Sequence, residues 1–239
     1  MIVWMSMVRY SVIIPAYNEE RTIERALFET RDAFRGFNEP FEIIVVDDGS
    51  RDGTIKVVES LRESVPESVL IKHEQNQGKG AAVRTGVAAS RGEYFVFLDA
   101  DLATHPKEFS KCIPLFATHD IVIGSRQMPG SLIVESQPAH RVLAGRLFNQ
   151  AIRNYLKIPL IDTQCGFKAF RASVAKSLFA DMSTTGWVFD VELLGRALKS
   201  GLKVAEIPVS WKNGAESRVK FGDAWRIIQE LRAVKQRLN

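Results

Sequence analysis

Two carboxylates follow a short apolar segment in the middle of the chain. Residues 94–98 are all apolar or aromatic, and Asp99 and Asp101 come directly after them. Side chains two positions apart in an extended chain point to the same side, with Cα atoms roughly 6–7 Å apart. Such a pair repels unless a cation lies between the carboxylates, and oxygen ligands suit Mg²⁺ or Mn²⁺. The spacing therefore predicts a metal site with open positions for nucleotide phosphates, although a solvated Asp-x-Asp turn has the same sequence.

Two more carboxylates end an earlier apolar segment. Residues 41–46 are mostly apolar and are followed by Asp47 and Asp48. Open α/β sheets bind ligands at the carboxyl ends of their strands, so we expect these acids near the first pair. They could bind ribose hydroxyls or a base, with Tyr17 packed on the base and Glu19 at the same edge. Asp-Asp-Gly-Ser is also an ordinary turn sequence, and Glu19 could equally be a first-turn helix acid.

Several basic side chains could face the same crevice. Lys79 lies in a Gly-Lys-Gly segment that fits neither a Walker A loop nor a dinucleotide-binding fingerprint. Arg126 ends a later strand, and three cations follow the last strand: Lys212, Arg218 and Lys220. Together with a metal, such cations could neutralise a diphosphate leaving group. A basic loop that is merely solvated is the alternative.

The periodicity of the apolar residues predicts the elements that position these side chains. Up to about residue 126, short apolar strands alternate with amphipathic helices, which predicts an α/β fold with a mostly parallel sheet and helices on both faces. The predicted strands are 10–15, 41–46, 69–73, 94–98, 120–126 and 204–209. Later predicted segments are a helix after Pro106, an irregular loop over 127–137, helices over 138–158, 188–200 and 221–238, and a site loop over 162–168.

Composition indicates one globular domain. The chain has 239 residues, of which 46% are hydrophobic, and a formal net charge of +4. It lacks the run of about 18–20 apolar residues that a spanning helix needs, so we expect a soluble or peripheral protein. The basic residues are dispersed, which gives no indication of nucleic-acid binding. Cys112 and Cys165 match no metal or redox spacing and are expected to be buried thiols.

Taken together, these segments resemble the family 2 glycosyltransferases, which are inverting enzymes with the GT-A (Rossmann-like) fold. Within that family the chain is similar to the synthases of dolichyl- or polyprenyl-phosphate sugars. The resemblance implies one GT-A domain over 1–239, with a nucleotide-binding half over 8–126 and an acceptor-binding half over 127–239. The matching segments are IPAYNE (14–19), VDDGS (46–50), DAD (99–101), GSR (124–126), DTQCGFK (162–168) and FDVE (189–192).

The resemblance also implies roles for individual residues. Asp99 and Asp101 would hold Mg²⁺ or Mn²⁺ and, with Arg126 and Arg218, form the catalytic set. Asp190 or Glu192 could act as a base in relatives with a hydroxyl acceptor. An ionised phosphate acceptor needs no general base, so here either residue is expected to be structural or to orient the acceptor. The implied nucleotide contacts are Pro15, Ala16, Tyr17, Glu19, Val46, Asp48, Lys79, Asp99, Ala100 and Asp101. The implied contacts of phosphates or acceptor are Arg126, Gln164, Lys168, Asp190, Lys212 and Arg218.

Two departures from related sequences bear on the sugar donor. Many mannosyl-phosphate synthases carry Gln at the position of Ala103 and end with an Arg-then-Lys pair, whereas here Lys212 precedes Arg218. Segments 162–168 and 189–192 resemble the dolichyl-phosphate glucosyltransferases, which implies UDP-glucose and a β-linked product. A GDP-mannose-dependent mannosyltransferase and a non-catalytic nucleotide-sugar-binding protein on the same fold are the alternatives.

Two predicted helices could bring the protein to a membrane. The segments 138–158 and 221–238 combine apolar and aromatic residues with basic ones, which is the pattern of interfacial helices. An acceptor with a long lipid tail stays in the bilayer, so we expect peripheral association with the cytoplasmic face of an anionic membrane. Helices that simply pack on the sheet would show the same pattern. The sequence does not indicate an oligomeric state.

Overall fold

The computed structural model describes residues 7–134, 139–186, 188–212 and 224–238. The strands are β1 (Tyr10–Ala16), β2 (Phe41–Asp47), β3 (Ser68–Lys72), β4 (Tyr94–Leu98), β5 (Ile121–Ser125), β6 (Leu132–Ile133), β7 (Phe167–Arg171), β8 (Val204–Pro208) and β9 (Ser210–Trp211). The helices are α1 (Ile23–Arg35), α2 (Thr54–Ser60), α3 (Lys79–Ala89), α4 (Ala139–Leu156), α5 (Ala172–Ala180), α6 (Phe189–Lys199) and α7 (Ala224–Leu238).

Seven strands form the central sheet in the order β3-β2-β1-β4-β7-β5-β8, and β6 pairs with β9 in a separate two-stranded sheet. All neighbours in the central sheet are parallel except β7, which runs antiparallel between β4 and β5. The predicted mostly parallel sheet is therefore confirmed. From β1 the chain builds outward to β3 and then returns to β4 on the other side of β1. Ligands of open α/β sheets bind at such a reversal, outside the carboxyl ends of the strands.

Each central strand buries both of its faces. In β1, Val12 and Ile14 belong to one hydrophobic cluster and Ile13 belongs to another. The first cluster includes Leu27 and Phe34 of α1, and the second includes side chains from α3, α5, α6 and α7. Because helices cover both faces, the strands read as continuous apolar segments rather than alternating ones. This confirms the prediction of helices on both faces.

Several predicted segments differ from the structure, and the predicted irregular loop over 127–137 contains β6. The site loop over 162–168 ends in β7, and α5, which follows directly, was not predicted. The predicted helix after Pro106 is a pair of 3-10 turns, Pro106–Lys111 and Pro114–Ala117. Strand β7 was missed because Lys168 and Arg171 give it a polar sequence, although Lys168 is completely buried. Burial of a lysine in a strand depends on a distant carboxylate, which local periodicity does not reveal.

Two expectations from composition can be compared with the structure. Cys112 and Cys165 are both free and buried, as predicted. Within the part of the chain that the structure describes, no helix combines the length and hydropathy needed to cross a bilayer.

Candidate active site

The carboxyl end of β4 places Asp99 beside the reversal point of the sheet. A Cβ atom at Gly166 would lie only 1.9 Å from Asp99 Oδ2, so any larger residue here would displace the Asp99 side chain. Gly166 directly precedes β7, the antiparallel neighbour of β4. Inserting β7 next to β4 therefore brings the segment over 162–168 against the Asp-x-Asp motif.

Lys79, the first residue of α3, forms an ion pair with this carboxylate. Its Nζ lies 2.5 Å from Asp99 Oδ1. Burial alone would lower the pKa of Lys79, but attraction to Asp99 and Asp190 outweighs burial and raises that pKa. Gly78 adopts φ +101°, and a Cβ there would lie 2.4 Å from the carbonyl oxygen of Thr185. The turn that aims Lys79 at the site therefore requires glycine.

Asp101 is held by the loop that follows β4. Its Oδ1 accepts a hydrogen bond from the backbone N–H of Ala103 at 3.0 Å, and its carbonyl accepts one from Arg25 at 2.6 Å. The carbonyl of Ala103 in turn accepts from the N–H of Lys212 at 2.8 Å. Leu102 adopts φ 50°, a left-handed conformation that is uncommon for a non-glycine residue. The loop is therefore fixed on both sides of the second carboxylate.

The two carboxylates suit a divalent cation that also binds a substrate. Among the described residues, no group of three or more His, Cys, Asp or Glu side chains is placed to hold a metal. Mg²⁺ is commonly bound by only one or two carboxylates together with substrate phosphates. Asp99 and Asp101 therefore fit Mg²⁺ or Mn²⁺ if a diphosphate supplies further ligands.

A pocket of about 290 Å³ lies beyond the carboxyl ends of β1 and β2. Tyr17, Asp47 and His73 are among its lining residues. Asp47 Oδ2 accepts a hydrogen bond from the N–H of Ser50 at 3.0 Å, while its buried Oδ1 has no hydrogen-bond partner among the described residues. A buried acceptor without a partner is costly, so the pocket is prepared for a ligand that donates a hydrogen bond.

Asp48 was predicted to contact the nucleotide, but its carboxylate is bound to the protein itself. It is buried, with Oδ1 accepting from Gln77 N–H at 2.9 Å and Oδ2 from Gly78 N–H at 2.8 Å. The ring Nδ1 of His73 also lies 2.8 Å from Asp48 Oδ1. Both oxygens of Asp48 thus hold the loop before α3. Asp47 is the better candidate for a direct nucleoside contact.

The other residues predicted to contact the nucleotide are buried or half-buried at this edge of the sheet. Ala16, Val46 and Ala100 are buried, and Pro15 is half-buried. Glu19 is buried and its Oε2 accepts a hydrogen bond from Thr22 Oγ1 at 2.5 Å, so it takes part in the turn that opens α1. Tyr17 is half-buried and lines the pocket.

Arg126, at the end of β5, is held by a buried carboxylate. Asp162 Oδ2 lies 2.7 Å from Arg126 Nε, and Oδ1 lies 2.9 Å from Nη2, so the pair is bidentate. Burial alone would raise the pKa of Asp162, but the guanidinium lowers it below its usual value. Glu206 of β8 accepts hydrogen bonds from the N–H groups of Ile161 at 2.8 Å and Asp162 at 3.0 Å. A loop carboxylate and its support from β8 therefore fix the orientation of this half-buried guanidinium.

Lys168 and Asp190 form a buried pair behind the site. Lys168 Nζ lies 3.0 Å from Asp190 Oδ1 and donates to the carbonyl of Cys165 at 2.6 Å. Burial raises the pKa of Asp190, although Lys168 and Lys79 oppose that shift. With no exposed surface, Lys168 does not fit the predicted contact with an acceptor phosphate. The structure gives it the role of supporting Asp190 and the loop before β7.

The remaining predicted residues have three different positions. Gln164 is half-buried, and its N–H donates to Asp162 Oδ1 at 3.3 Å. Lys212 is exposed and follows β9 beside the Asp-x-Asp loop. Arg218 lies outside the described residues. The crevice thus brings together Asp99, Asp101, Lys79 and Arg126, with Lys212 at its edge.

Sequence reasoning missed three residues that shape the site. These are Gly166, which leaves room for Asp99, and Asp162 and Glu206, which position Arg126. The polar density of the segment over 162–168 did predict a site loop. It carried no signal for the partner of Asp162, because that contact depends on how β5 and β8 are placed.

Comparisons with known proteins support the family resemblance. The family model described as Glycosyl transferase family 2 matches residues 11–179. "Glycosyltransferase AglD" of Haloferax volcanii is 35% identical over 219 residues, which are 89% of this chain and 34% of that protein. "Dolichyl-phosphate beta-glucosyltransferase" of Dictyostelium discoideum is 37% identical over 217 residues, 84% of this chain and 65% of that protein. The chain therefore spans less than two thirds of the length of each of these two relatives.

A similar solved structure is glucosyl-3-phosphoglycerate synthase from Mycobacterium tuberculosis in complex with Mn²⁺, UDP and glucosyl-3-phosphoglycerate. It superposes with a TM-score of 0.67 over 97% of this chain and 80% of that chain, at 21% identity. This likeness shows a shared GT-A fold, which confirms the fold class implied by the motifs.

Proposed function

This chain belongs to glycosyl transferase family 2, and from that premise we propose that it transfers glucose from UDP-glucose to a dolichyl or other polyprenyl phosphate. The observation that carries the proposal is the crevice itself, where Asp99 and Asp101 lie among cations suited to phosphates. The names of its relatives support the lipid-phosphate acceptor, since several are dolichyl-phosphate beta-glucosyltransferases at 31–37% identity.

The pocket at β1 and β2 supports a nucleoside diphosphate as the carrier of the sugar. The N3–H of uracil can donate a hydrogen bond to Asp47 Oδ1, which lacks a partner among the described residues. Tyr17 can pack against the face of the same base. Guanine also offers N–H donors, so a GDP-sugar is the second candidate. The solved structure with UDP favours the uridine nucleotide.

A divalent metal completes this proposal. Asp99 and Asp101 would hold Mg²⁺ or Mn²⁺, which supplies positive charge to the diphosphate. The ion pair between Lys79 and Asp99 balances the charge of this carboxylate in the substrate-free protein. Lys79 then lies next to the diphosphate as a second cation.

The chemistry needs little beyond positioning and charge. One oxygen of the acceptor phosphate attacks the anomeric carbon as the bond from that carbon to the UDP oxygen breaks, and UDP leaves with the bonding electrons. Attack from the opposite face converts an α-linked sugar donor into a β-linked product. The acceptor phosphate is already ionised near pH 7, so no proton has to be removed. Arg126 and Lys212 are placed to bind its charge.

Access to a lipid acceptor supports peripheral binding at the cytoplasmic face of a membrane. The long helices α4 and α7 each bury one face, with Ile152 and Ile227 in the core. Other side chains of these helices are exposed, among them Leu147 on α4 and Trp225 and Ile228 on α7. Helix α7 also carries the exposed basic side chains Arg226 and Arg232, and the exposed Lys157 directly follows α4. Packing on the sheet and binding to a membrane are therefore compatible, because one face of each helix packs on the sheet and the other can contact lipid.

A screen of sugar donors tests the proposal. UDP-glucose, GDP-mannose and UDP-N-acetylglucosamine are each incubated with a short polyprenyl phosphate and Mg²⁺ or Mn²⁺, and products are detected by mass. We expect hexosyl polyprenyl phosphate from UDP-glucose. Product from GDP-mannose alone would favour the mannosyltransferase. Nucleotide-sugar binding without product from any pair would favour a non-catalytic binding protein.

A further inference from the structure

Three consecutive apolar residues lie exposed beside the site. Leu132, Ile133 and Val134 expose 65%, 47% and 63% of their surfaces. We refer to these three residues as the apolar strip. Single exposed apolar residues are ordinary, but a contiguous group next to a functional site indicates contact with a ligand or partner.

The strip is built into the fold by backbone hydrogen bonds. Leu132 and Ile133 form β6, which pairs in parallel with β9. The N–H of Leu132 donates to the carbonyl of Val209 at 3.1 Å, and that of Val134 donates to Trp211 at 2.9 Å. These hydrogen bonds fix the backbone of the apolar strip, so binding to its side chains requires little further ordering of the backbone.

Strand β9 connects the strip to the phosphate-binding side of the crevice. Trp211 is paired with Ile133 on one side and forms an isolated β-bridge with Thr104 on the other. The guanidinium carbon of Arg126 lies 5.8 Å from the centre of the Trp211 ring. Lys212 follows directly and donates its N–H to the Asp-x-Asp loop. The cations Arg126 and Lys212, the ring of Trp211 and the apolar strip are therefore neighbours in that order.

This order of cationic, aromatic and aliphatic side chains suits an amphiphile with an anionic head and an aliphatic tail. We infer that the apolar strip binds the first isoprene units of the acceptor, with Trp211 between the strip and the phosphate at Arg126 and Lys212. The inference rests on the proposed function and specifies how its acceptor is bound. Burying the tail on the strip removes apolar surface from water on both partners, which favours lipid phosphates over small soluble ones.

The test compares acceptors that differ only in tail length. Isopentyl phosphate and phytanyl phosphate, which both have saturated tails, are used in detergent solution with UDP-glucose, and kcat/KM is measured for each. In a Leu132→Ser, Val134→Ser double variant we expect the ratio of the long-chain to the short-chain value to fall about tenfold. Both side chains are exposed, so the variant should fold, and circular dichroism checks this. Val69→Ser, at an exposed apolar residue of the distant edge strand β3, should leave the ratio unchanged.

Other outcomes separate this inference from the proposed function. An unchanged ratio in the double variant would overturn the inference while leaving glucosyl transfer intact. Equal losses for both acceptors, together with lost binding to anionic vesicles, would also overturn it and would identify the strip as a membrane contact. If the wild-type protein makes no product, titration of tryptophan fluorescence with the two phosphates tests tail binding alone. Tighter binding of phytanyl phosphate in the wild type only would then support the inference although the proposed function had failed.

Discussion

Replacing Asp162 by Asn would remove the negative charge that holds Arg126 in the crevice. Asp162 is completely buried and makes two charge-assisted hydrogen bonds to the guanidinium, at 2.7 and 2.9 Å. Asn keeps the shape of the side chain and one acceptor oxygen, but its NH₂ group would face the cation. Each oxygen of Asp162 also accepts a backbone N–H, from Arg126 or from Gln164. The variant therefore loses one hydrogen bond to the guanidinium and one to the backbone, and it leaves the positive charge of Arg126 unbalanced.

The expected cost follows from the burial of this pair. Removing one partner of a fully buried ion pair costs about 3–5 kcal/mol. Because the side chain of Arg126 is 31% exposed, water compensates part of that loss, and we expect a decrease of about 2 kcal/mol in the free energy of unfolding. We also expect kcat/KM for transfer to fall at least about tenfold, since the released guanidinium must be ordered on binding. Urea denaturation and initial-rate measurements give the two quantities.

A matched exposed pair provides the control. Asp181 lies 3.2 Å from Arg196, but its side chain is 68% exposed, so Asp181→Asn should change the free energy of unfolding by less than about 0.5 kcal/mol. Equal effects of the two substitutions on stability would refute the argument from burial. Full activity of Asp162→Asn would refute the placement of Arg126 in the site.

Three further predictions follow from the same contacts. The folded-state pKa of Asp162 is lowered, so its stabilising effect should be fully present above about pH 4 and lost as the pH falls below that; a stability difference between wild type and Asp162→Asn that grows on acidification would contradict this. Gly166→Ala should reduce transfer at least about a hundredfold by displacing Asp99, whereas Gly145→Ala, where a Cβ meets nothing within 4 Å, should leave kinetics unchanged. Lys79→Met should tighten Mn²⁺ binding to the substrate-free protein about tenfold in an electron paramagnetic resonance titration, because it removes the cation paired with Asp99; unchanged or weaker binding would show that Lys79 does not compete for that carboxylate.

Much of the nucleotide-binding half was predictable from local sequence. Strands buried on both faces read as continuous apolar segments, so β1, β2, β4 and β5 were placed within one or two residues of their observed ends. The acids at the ends of β2 and β4 then followed from the geometry of parallel sheets. Which member of the Asp47 and Asp48 pair faces the pocket was not predictable, because it depends on the loop over 73–78 that binds Asp48.

The later half of the chain depends on contacts between distant segments. The resemblance implied that Lys168 contacts a phosphate or the acceptor, whereas the insertion of β7 buries it against Asp190. Likewise, Arg126 was predicted as a site residue, but its partner Asp162 and the supporting Glu206 come from loops and strands that meet only in the folded sheet. The charged groups of the site were therefore easier to predict from the sequence than the residues that orient them.

Metal-dependent formation of a glucosyl lipid phosphate is the central claim, and one product analysis tests it most directly. Wild-type protein and Asp101→Asn are incubated with UDP-glucose and phytanyl phosphate, with Mg²⁺ or Mn²⁺ and with a chelator, and the product is examined by mass and by the proton coupling of its anomeric carbon. We expect the wild-type protein to form β-glucosyl phytanyl phosphate only when metal is present. Asp101→Asn should form at least about a hundredfold less. Product of α configuration, or equal turnover with the chelator or with Asp101→Asn, would contradict this claim.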